Sequence, residues 1–232
     1  MRLFGAGSIQ DVRRCTELGV EGILTNPQGF DQYFNGERTL KEITEDLLEA
    51  SEVPVFIQIH APDTEGLVAR ARELHALSSR VGFKILADAK GFPAIRVLQQ
   101  EGISCIATCL FSVSQAAMAA TVGAYGICPF VSRAREIGLD ASEVVGTIRR
   151  GYDRLEKPPL VIAVSLKGLA DVELSIAAGA DVVAMRYPLI EQMMGHVLTT
   201  RAEALFAKNW ARVKGEDVGY LSHLMAQEGV AE

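Results

Sequence analysis

The sequence predicts a (β/α)8 TIM barrel, and three observations support this fold class. Eight short β-rich runs alternate with longer helical runs at a spacing of ~20–30 residues. The strand runs are nearly all apolar, which is typical of strands covered on both faces. The 232 residues suit one domain of the larger single-core kind, or two small ones. A doubly wound open sheet is the alternative fold.

The first four strand–helix units are marked by helix caps and by glycine. Gly19 suits the end of the first helix. Thr39 and Glu42 have the spacing of a capping box, Asp63 is a typical N-cap, and a loop is expected before Thr39. The predicted strands are Leu3–Gly7, Gly22–Pro27 (running into a turn), Val53–His60 and Gly82–Ala87. The predicted helices are Ile9–Leu18, one from the Thr39 cap to Ala50, one from the Asp63 cap to about Ser79, and Phe92–Glu101.

The second four units repeat this pattern. Asp140 is a candidate N-cap, and Gly179 closes the seventh helix. The predicted strands are Ile103–Leu110, Gly126–Val131, Leu160–Leu166 and Asp181–Arg186. The predicted helices are Ser112–Val122, Ala141–Leu155, Leu169–Ala178 and one that runs from the eighth strand to about Val197.

A further helical segment follows the eighth unit. Thr199–Val213 carries an apolar stripe, and Tyr220–Gln227 continues it. A closed barrel does not need this segment, so it either covers its own barrel or packs on a neighbouring subunit. We expect residues 1–198 to form the barrel and residues 199–232 to form a C-terminal helical extension of the same domain. The stripe consists of Ala202, Leu205, Phe206, Trp210 and Val213.

Composition narrows the classes of partner and compartment. A net charge of -6 argues against nucleic acid or an anionic membrane as a partner. No apolar run approaches the length of a membrane span, and the apolar part of the N-terminus is too short for a signal peptide. The four cysteines form no C-x-x-C pair, which predicts a reduced, cytoplasmic protein without a metal site.

Lys84 stands in the middle of the predicted fourth strand. An ammonium loses its hydration in a buried strand, and a lysine kept neutral there is a good nucleophile toward a carbonyl. A structural lysine on the exposed side of the strand is the alternative interpretation.

Polar residues also gather near the ends of the other strands, where a barrel of this class places its site. Six of the eight strands, the second to the seventh, contribute at least one such residue. Their simpler interpretations are a turn at Thr25 and Asn26, a core amide at Gln58, a helix cap at Asp88, and solvated charges at Arg133 and Lys167. Two cations after strands six and seven also suit a phosphate. The candidates are Thr25, Asn26, Gln58, His60, Lys84, Asp88, Thr108, Arg133, Ser165 and Lys167.

Six sequence blocks, in order over about residues 3–213, carry a family resemblance. They are Gly22–Pro27, Phe56–Ile59, Phe83–Ile85 with Gly91–Ile95, Glu101–Ile103 with Ala107–Thr108, Pro129–Arg133, and Ala163–Lys167. Together they resemble the small transaldolase and fructose-6-phosphate aldolase family. Each block is weak alone, but six in register are specific.

The resemblance implies a class I aldolase site with neither metal nor cofactor. Lys84 matches the lysine that forms a Schiff base, and Thr108 and Gln58 match positions that order the catalytic water and substrate hydroxyls. The positions matched to substrate binding are Thr25, Asn26, Phe130 and Ser165, with Arg133 and Lys167 at the phosphate end. The resemblance also implies a homo-oligomer, a pentamer or a decamer, whose contacts use the C-terminal helix.

The chain also departs from the family pattern. Gly5 and Ala6 stand where the family has an aspartate followed by a threonine or a serine, and Leu86 replaces a proline. Gln58 stands where transaldolases of the family carry a glutamate. Phe130 stands where its fructose-6-phosphate aldolases carry a tyrosine. The usual proton-transfer groups are therefore replaced, and Asp88 and His60 are the hypothesised substitutes.

The predicted function is a Schiff-base aldolase or transaldolase-like enzyme. It makes or breaks a carbon–carbon bond in a sugar phosphate or a small ketone, such as fructose 6-phosphate or dihydroxyacetone. The alternatives are a barrel that binds a sugar phosphate without efficient turnover and an oligomeric scaffold with a vestigial site.

Overall fold

The strands form a closed, wholly parallel barrel whose spatial order follows the chain. The computed structural model describes residues 1–34, 36–217, 219 and 222, and of residues 31–34 only the backbone. The first and last strands pair, so the predicted (β/α)8 barrel is confirmed and the open sheet is excluded. The strands are Arg2–Ala6 (β1), Ile23–Leu24 (β2), Val55–Gln58 (β3), Val81–Leu86 (β4), Cys105–Leu110 (β5), Gly126–Pro129 (β6), Leu160–Ala163 (β7) and Val182–Arg186 (β8).

Helices follow each strand, and the predicted caps are confirmed. Thr39 and Glu42 form a capping box, and the carboxylates of Asp63 and Asp140 accept backbone N–H groups at their helix starts. The helices are Ile9–Glu17 (α1), Pro27–Phe34 (α2), Leu40–Ala50 (α3), Thr64–His75 (α4), Gly91–Gln100 (α5), Val113–Thr121 (α6), Val131–Glu136 (α7), Ala141–Tyr152 (α8), Leu169–Ala177 (α9), Tyr187–Met193 (α10) and Val197–Trp210 (α11).

Two helices were not predicted. The short α2 occupies the expected loop, where Pro27 takes the first helical position and the Asn26 side chain accepts the Gly29 N–H at 2.7 Å. The short α7 begins at Val131, inside the predicted sixth strand, because the apolar run through Pro129 carries no period that separates a strand end from a helix start. The seventh strand likewise ends at Ala163, before the predicted Leu166.

Aromatic rings fill the barrel interior below the strand ends. Phe56 stacks between Phe4, at a ring-centroid distance of 6.0 Å, and Tyr125, at 5.4 Å. Gly82 on β4 provides the room, because a Cβ there would stand 2.7 Å from the Phe56 ring and 2.8 Å from the Ser104 carbonyl oxygen. Lys84 lies two residues further along the same face of β4, so its side chain is next to these aromatic and apolar side chains of the barrel interior.

The chain divides into two compact units, Met1–Leu189 and Ile190–Glu232. The helix expected to reach Val197 ends at Met193, and α11 follows. The boundary expected at residue 198 stays a prediction, and the expected helix Tyr220–Gln227 falls outside the described residues apart from Ser222. Within the described part of the chain, no helix has both the length and the hydropathy to cross a bilayer.

Candidate active site

Lys84 is buried within the barrel, with 4% of its surface exposed. Its Nζ donates a hydrogen bond to the Thr25 backbone carbonyl at 2.8 Å. Loss of hydration lowers the pKa of the Lys84 amine below its ordinary value. A carbonyl acceptor adds no negative charge to hold a proton on the amine. The geometry thus favours the neutral, nucleophilic form.

Thr25 joins the ends of β2 and β3 around this amine. Its Oγ1 donates to the Phe56 carbonyl at 3.2 Å and accepts the Gln58 backbone N–H at 2.9 Å. Gln58 is the direct register partner of Lys84 on the neighbouring strand. The structure therefore brings Thr25, Gln58 and Lys84 together, and fixes the carbonyl that holds the amine.

Thr108 on β5 is fully buried, and its hydroxyl lacks a hydrogen bond of ordinary geometry to any part of the chain that the structure describes. The thiols of Cys109 and Cys128 lie beside the Thr108 hydroxyl. Both are also close enough to Lys84 for an ionised thiolate to attract a charged amine there. Burial raises the pKa of the Cys128 thiol to about 11, so that thiol stays protonated. A buried hydroxyl without a partner costs about 1–3 kcal/mol, which indicates that a water or ligand completes its bonding.

Asn26, Asp88 and His60 occupy different environments. The side-chain oxygen of Asn26 is engaged at the start of α2. One carboxylate oxygen of Asp88 accepts the backbone N–H groups of Lys90 at 3.2 Å and Gly91 at 2.8 Å, which is the helix-start role that the sequence offered as its simpler interpretation. His60 lies beyond the end of β3, where it is exposed.

The predicted anion-binding residues gather where β6 and β7 end. The Arg133 guanidinium lies 5.2 Å from the centroid of the Phe130 ring, a cation–π distance. The Ser132 N–H donates to the Ser165 carbonyl at 3.0 Å and joins α7 to the loop after β7. Lys167 is exposed and forms an ion pair with Glu136, so part of its charge is already balanced.

One residue near the site was not among the sequence-derived candidates. Arg186 ends β8 on the same face as Val182 and Ala184, which belong to the barrel core. It is the register partner of Ala6 and lines a small cavity with Ala6, Thr25 and Asn26. The signal that identifies it was a polar residue directly after the wholly apolar run Val182–Met185, the kind of strand end from which the other candidates were chosen. A cation thus stands beside the position where the resemblance expected a carboxylate.

Metal ligands do not cluster near these groups. Across residues 1–34, 36–217, 219 and 222, three or more His, Cys, Asp or Glu side chains nowhere form a group that could hold a metal ion.

Comparison with known proteins identifies the family. A family model described as "Transaldolase/Fructose-6-phosphate aldolase" matches residues 6–231. The chain belongs to the transaldolase/fructose-6-phosphate aldolase family. This confirms the resemblance found in the six sequence blocks, and it makes the chain an enzyme of the aldolase and transaldolase class that acts on sugar phosphates.

Relatives of this transaldolase/aldolase-family chain share most of its length. A protein named "Probable transaldolase" from Coprothermobacter proteolyticus is 33% identical and covers 89% of this chain and 94% of its own. One of the same name from Desulforudis audaxviator is 32% identical, covering 92% and 99%. A thiamine phosphate pyrophosphorylase from Pyrococcus furiosus has a TM-score of 0.54 at 17% identity, over 80% of this chain and 85% of that one, and shares the fold alone.

Thr108→Val tests whether the buried hydroxyl serves a ligand or water. Because the change removes an unpaired polar atom, we expect the free energy of unfolding to stay the same or rise by up to about 1–3 kcal/mol. Adduct formation at Lys84 with dihydroxyacetone, trapped by borohydride, should slow by about 10²-fold or more if the hydroxyl orders the water used in proton transfer. Chemical denaturation and mass spectrometry measure the two effects.

Thr44→Val is the matched control, because Thr44 is equally buried but its hydroxyl already donates to the Leu40 carbonyl at 2.7 Å. It should leave the trapping rate unchanged. A Thr108→Val protein that loses stability yet traps ketone at the normal rate would assign Thr108 to the fold and not to the reaction.

Proposed function

We propose that this chain is a class I aldolase or transaldolase that uses Lys84 to form a Schiff base. The observation that carries the proposal is the buried Lys84 amine, held on the Thr25 carbonyl with a lowered pKa, inside a barrel of this family. An amine in this state attacks a ketone without a metal to polarise the carbonyl.

The chemistry follows from a neutral amine. Nζ of Lys84 attacks the ketone carbon, and a proton moves from nitrogen to the former carbonyl oxygen. That oxygen takes up a second proton from a general acid and leaves as water, which leaves an iminium cation. When the carbon–carbon bond one carbon beyond breaks, its electron pair moves into the iminium and forms an enamine. The released fragment becomes an aldehyde as its hydroxyl loses a proton. The enamine then takes up a proton, giving a lyase reaction, or attacks another aldehyde, giving a transferase reaction. In both cases addition of water to the resulting iminium releases the ketone product and a proton, and restores the Lys84 amine.

Two sets of side chains support substrate binding in this proposal. Gln58, Thr108, Thr25 and Asn26 surround the amine end and orient hydroxyls and water there. Arg133, Ser165 and Lys167, with the Phe130 ring below Arg133, take the phosphate. Arg186 adds a further cation at the end of β8. The substrate class is therefore a phosphorylated sugar or a small ketone such as fructose 6-phosphate or dihydroxyacetone.

We also propose a cytoplasmic homo-oligomer. The four cysteines are all free, as expected in a reducing compartment. In α11 and just beyond it, Leu205, Phe206, Trp210 and Val213 are each about half exposed, and large apolar side chains grouped on a short segment are typical of a protein interface. A pentamer or decamer follows from the family resemblance alone.

Borohydride trapping tests the proposed function directly. Incubation with fructose 6-phosphate or dihydroxyacetone, followed by reduction, should add one ketone-derived group per chain, and peptide mass spectrometry should locate it on Lys84. Lys84→Met should abolish the adduct, because a thioether forms no imine.

Lys90→Met is the matched control, because the Lys90 Nζ also donates to a backbone carbonyl, that of Ala61 at 2.7 Å. This variant should keep the adduct at Lys84. An adduct spread over several lysines, or none with a panel of ketones and aldoses while sugar phosphates still bind, would favour a binding protein over an enzyme.

Asp88→Asn and His60→Asn test the proposed proton-transfer groups. An asparagine at position 88 still offers an oxygen to the backbone N–H groups of Lys90 and Gly91, so α5 should start normally. We expect at least one variant to slow turnover of fructose 6-phosphate, or trapping of dihydroxyacetone, by about 10²–10⁴-fold, the range of general acid–base catalysis. Rates within about tenfold for both variants would exclude both groups, since that lies below this range.

A further inference from the structure

Asp171 is a buried carboxylate at the start of α9, with 2% of its surface exposed. It lies in the first turn, where the helix dipole favours a negative charge. A buried carboxylate is nonetheless costly unless several donors surround it. Its partners therefore show what this charge holds in place.

Three groups, two on α7 and one on the loop after β7, meet this carboxylate. Oδ2 accepts the Ser132 hydroxyl at 2.6 Å and the Lys167 backbone N–H at 2.8 Å. Oδ1 lies 2.5 Å from Arg135 Nη2, an ion pair whose angles do not make a good hydrogen bond. Bonds to an ionised acceptor are stronger than neutral ones. Asp171 thus fastens α7 to the loop between β7 and α9.

These two segments carry the proposed phosphate-binding groups. Ser132 and Arg135 are three residues apart on α7 and share one face, whereas Arg133 projects from a different face. The loop after β7 carries Ser165, whose φ of 60° is uncommon for a residue other than glycine. Such a conformation persists only where its surroundings hold it, and the loop is held by Asp171 at Lys167 and by the Ser132 N–H at Ser165.

We propose that Asp171 is the positioning residue of the anion-binding end of the site. It sets the distance between Arg133 on α7 and Ser165 with Lys167 on the next loop, without touching the substrate. The proposal rests on the proposed function for the identity of the anion, a sugar phosphate. A buried carboxylate then holds together a binding site for an anion. Arg135, and not the substrate, balances the charge of this carboxylate.

The test measures binding separately from imine chemistry. In a Lys84→Met background, calorimetry gives the dissociation constant of fructose 6-phosphate, which cannot form an adduct there. Asp171→Ala should raise it about 10- to 100-fold, the effect of misplacing binding groups by about 1 Å. Asp171→Asn should have a smaller effect, since an amide oxygen still accepts from Ser132 and Lys167. Ser132→Ala, a milder change, provides a second variant if Asp171→Ala folds poorly.

With Lys84 intact, dihydroxyacetone gives the complementary measurement. It has no phosphate, so its half-saturating concentration for trapping should change by less than about twofold in Asp171→Ala, because only phosphate-binding groups are displaced.

Asp181→Ala is the matched control for lost stability. Asp181 Oδ2 likewise accepts a backbone N–H, that of Val161 at 2.8 Å, and an arginine, Arg149 at 2.8 Å, but it precedes β8 at the opposite end of the barrel. Asp181→Ala should lower the melting temperature without changing the dissociation constant of fructose 6-phosphate or the half-saturating concentration of dihydroxyacetone. Fructose 6-phosphate binding unaltered by Asp171→Ala, absent altogether, or weakened equally by Asp181→Ala would overturn the inference. A missing Lys84 adduct alongside a confirmed binding effect would refute only the proposed function.

Discussion

The lowered pKa of the Lys84 amine is the property on which the proposed chemistry depends, and it is a consequence of packing. Stacked rings of Phe4, Phe56 and Tyr125 occupy the space below it, and the missing side chain at Gly82 lets Phe56 fit. Water is thereby excluded from one side of the amine. Its hydrogen-bond partner is a carbonyl and not a carboxylate, so donation by an N–H leaves the nitrogen lone pair available.

The site divides its tasks between separate parts of the barrel. The amine and its neighbours come from β2 to β5, whereas the proposed anion-binding groups follow β6 and β7. The first group is rigid because it sits on paired strands, with Thr25 bridging two of them. The second group stands on the short helix α7 and on the loop after β7, and Asp171 binds both segments. Strand pairing thus positions the side chains around the amine, and a buried carboxylate positions the proposed anion-binding groups.

Much of the fold was predictable because its signals are local. Caps at Thr39, Asp63 and Asp140 mark helix starts, and apolar runs mark buried strands. The direction of Lys84 stayed open, because its nearly all-apolar strand carries no alternation that distinguishes the two faces. Strand ends were predicted less well, because the apolar residues after Pro129 and Ala163 continue the pattern while the backbone has already turned.

The remaining features depend on contacts distant in sequence. The partners of Asp171 lie up to 39 residues away in sequence, and no local pattern around Ser132 indicates this contact. The hydrogen bond between Lys84 and Thr25 spans 59 residues. Arg186 is different, because its place at the end of an apolar run was visible in the sequence, but its face and its pairing with Ala6 required the barrel to close.

An NMR titration of Lys84 is the most direct test of whether its buried position lowers the pKa of the amine. Lysine labelled with ¹³C at Cε gives an NMR signal that follows protonation, and the signal missing from Lys84→Met assigns this residue. In a titration from about pH 6 to 11, we expect a midpoint well below the ordinary lysine value of about 10.4, with the amine neutral above that midpoint. A midpoint at or above about 10.4 would contradict this expectation, since Lys84 would then be a charged residue stabilised by its surroundings.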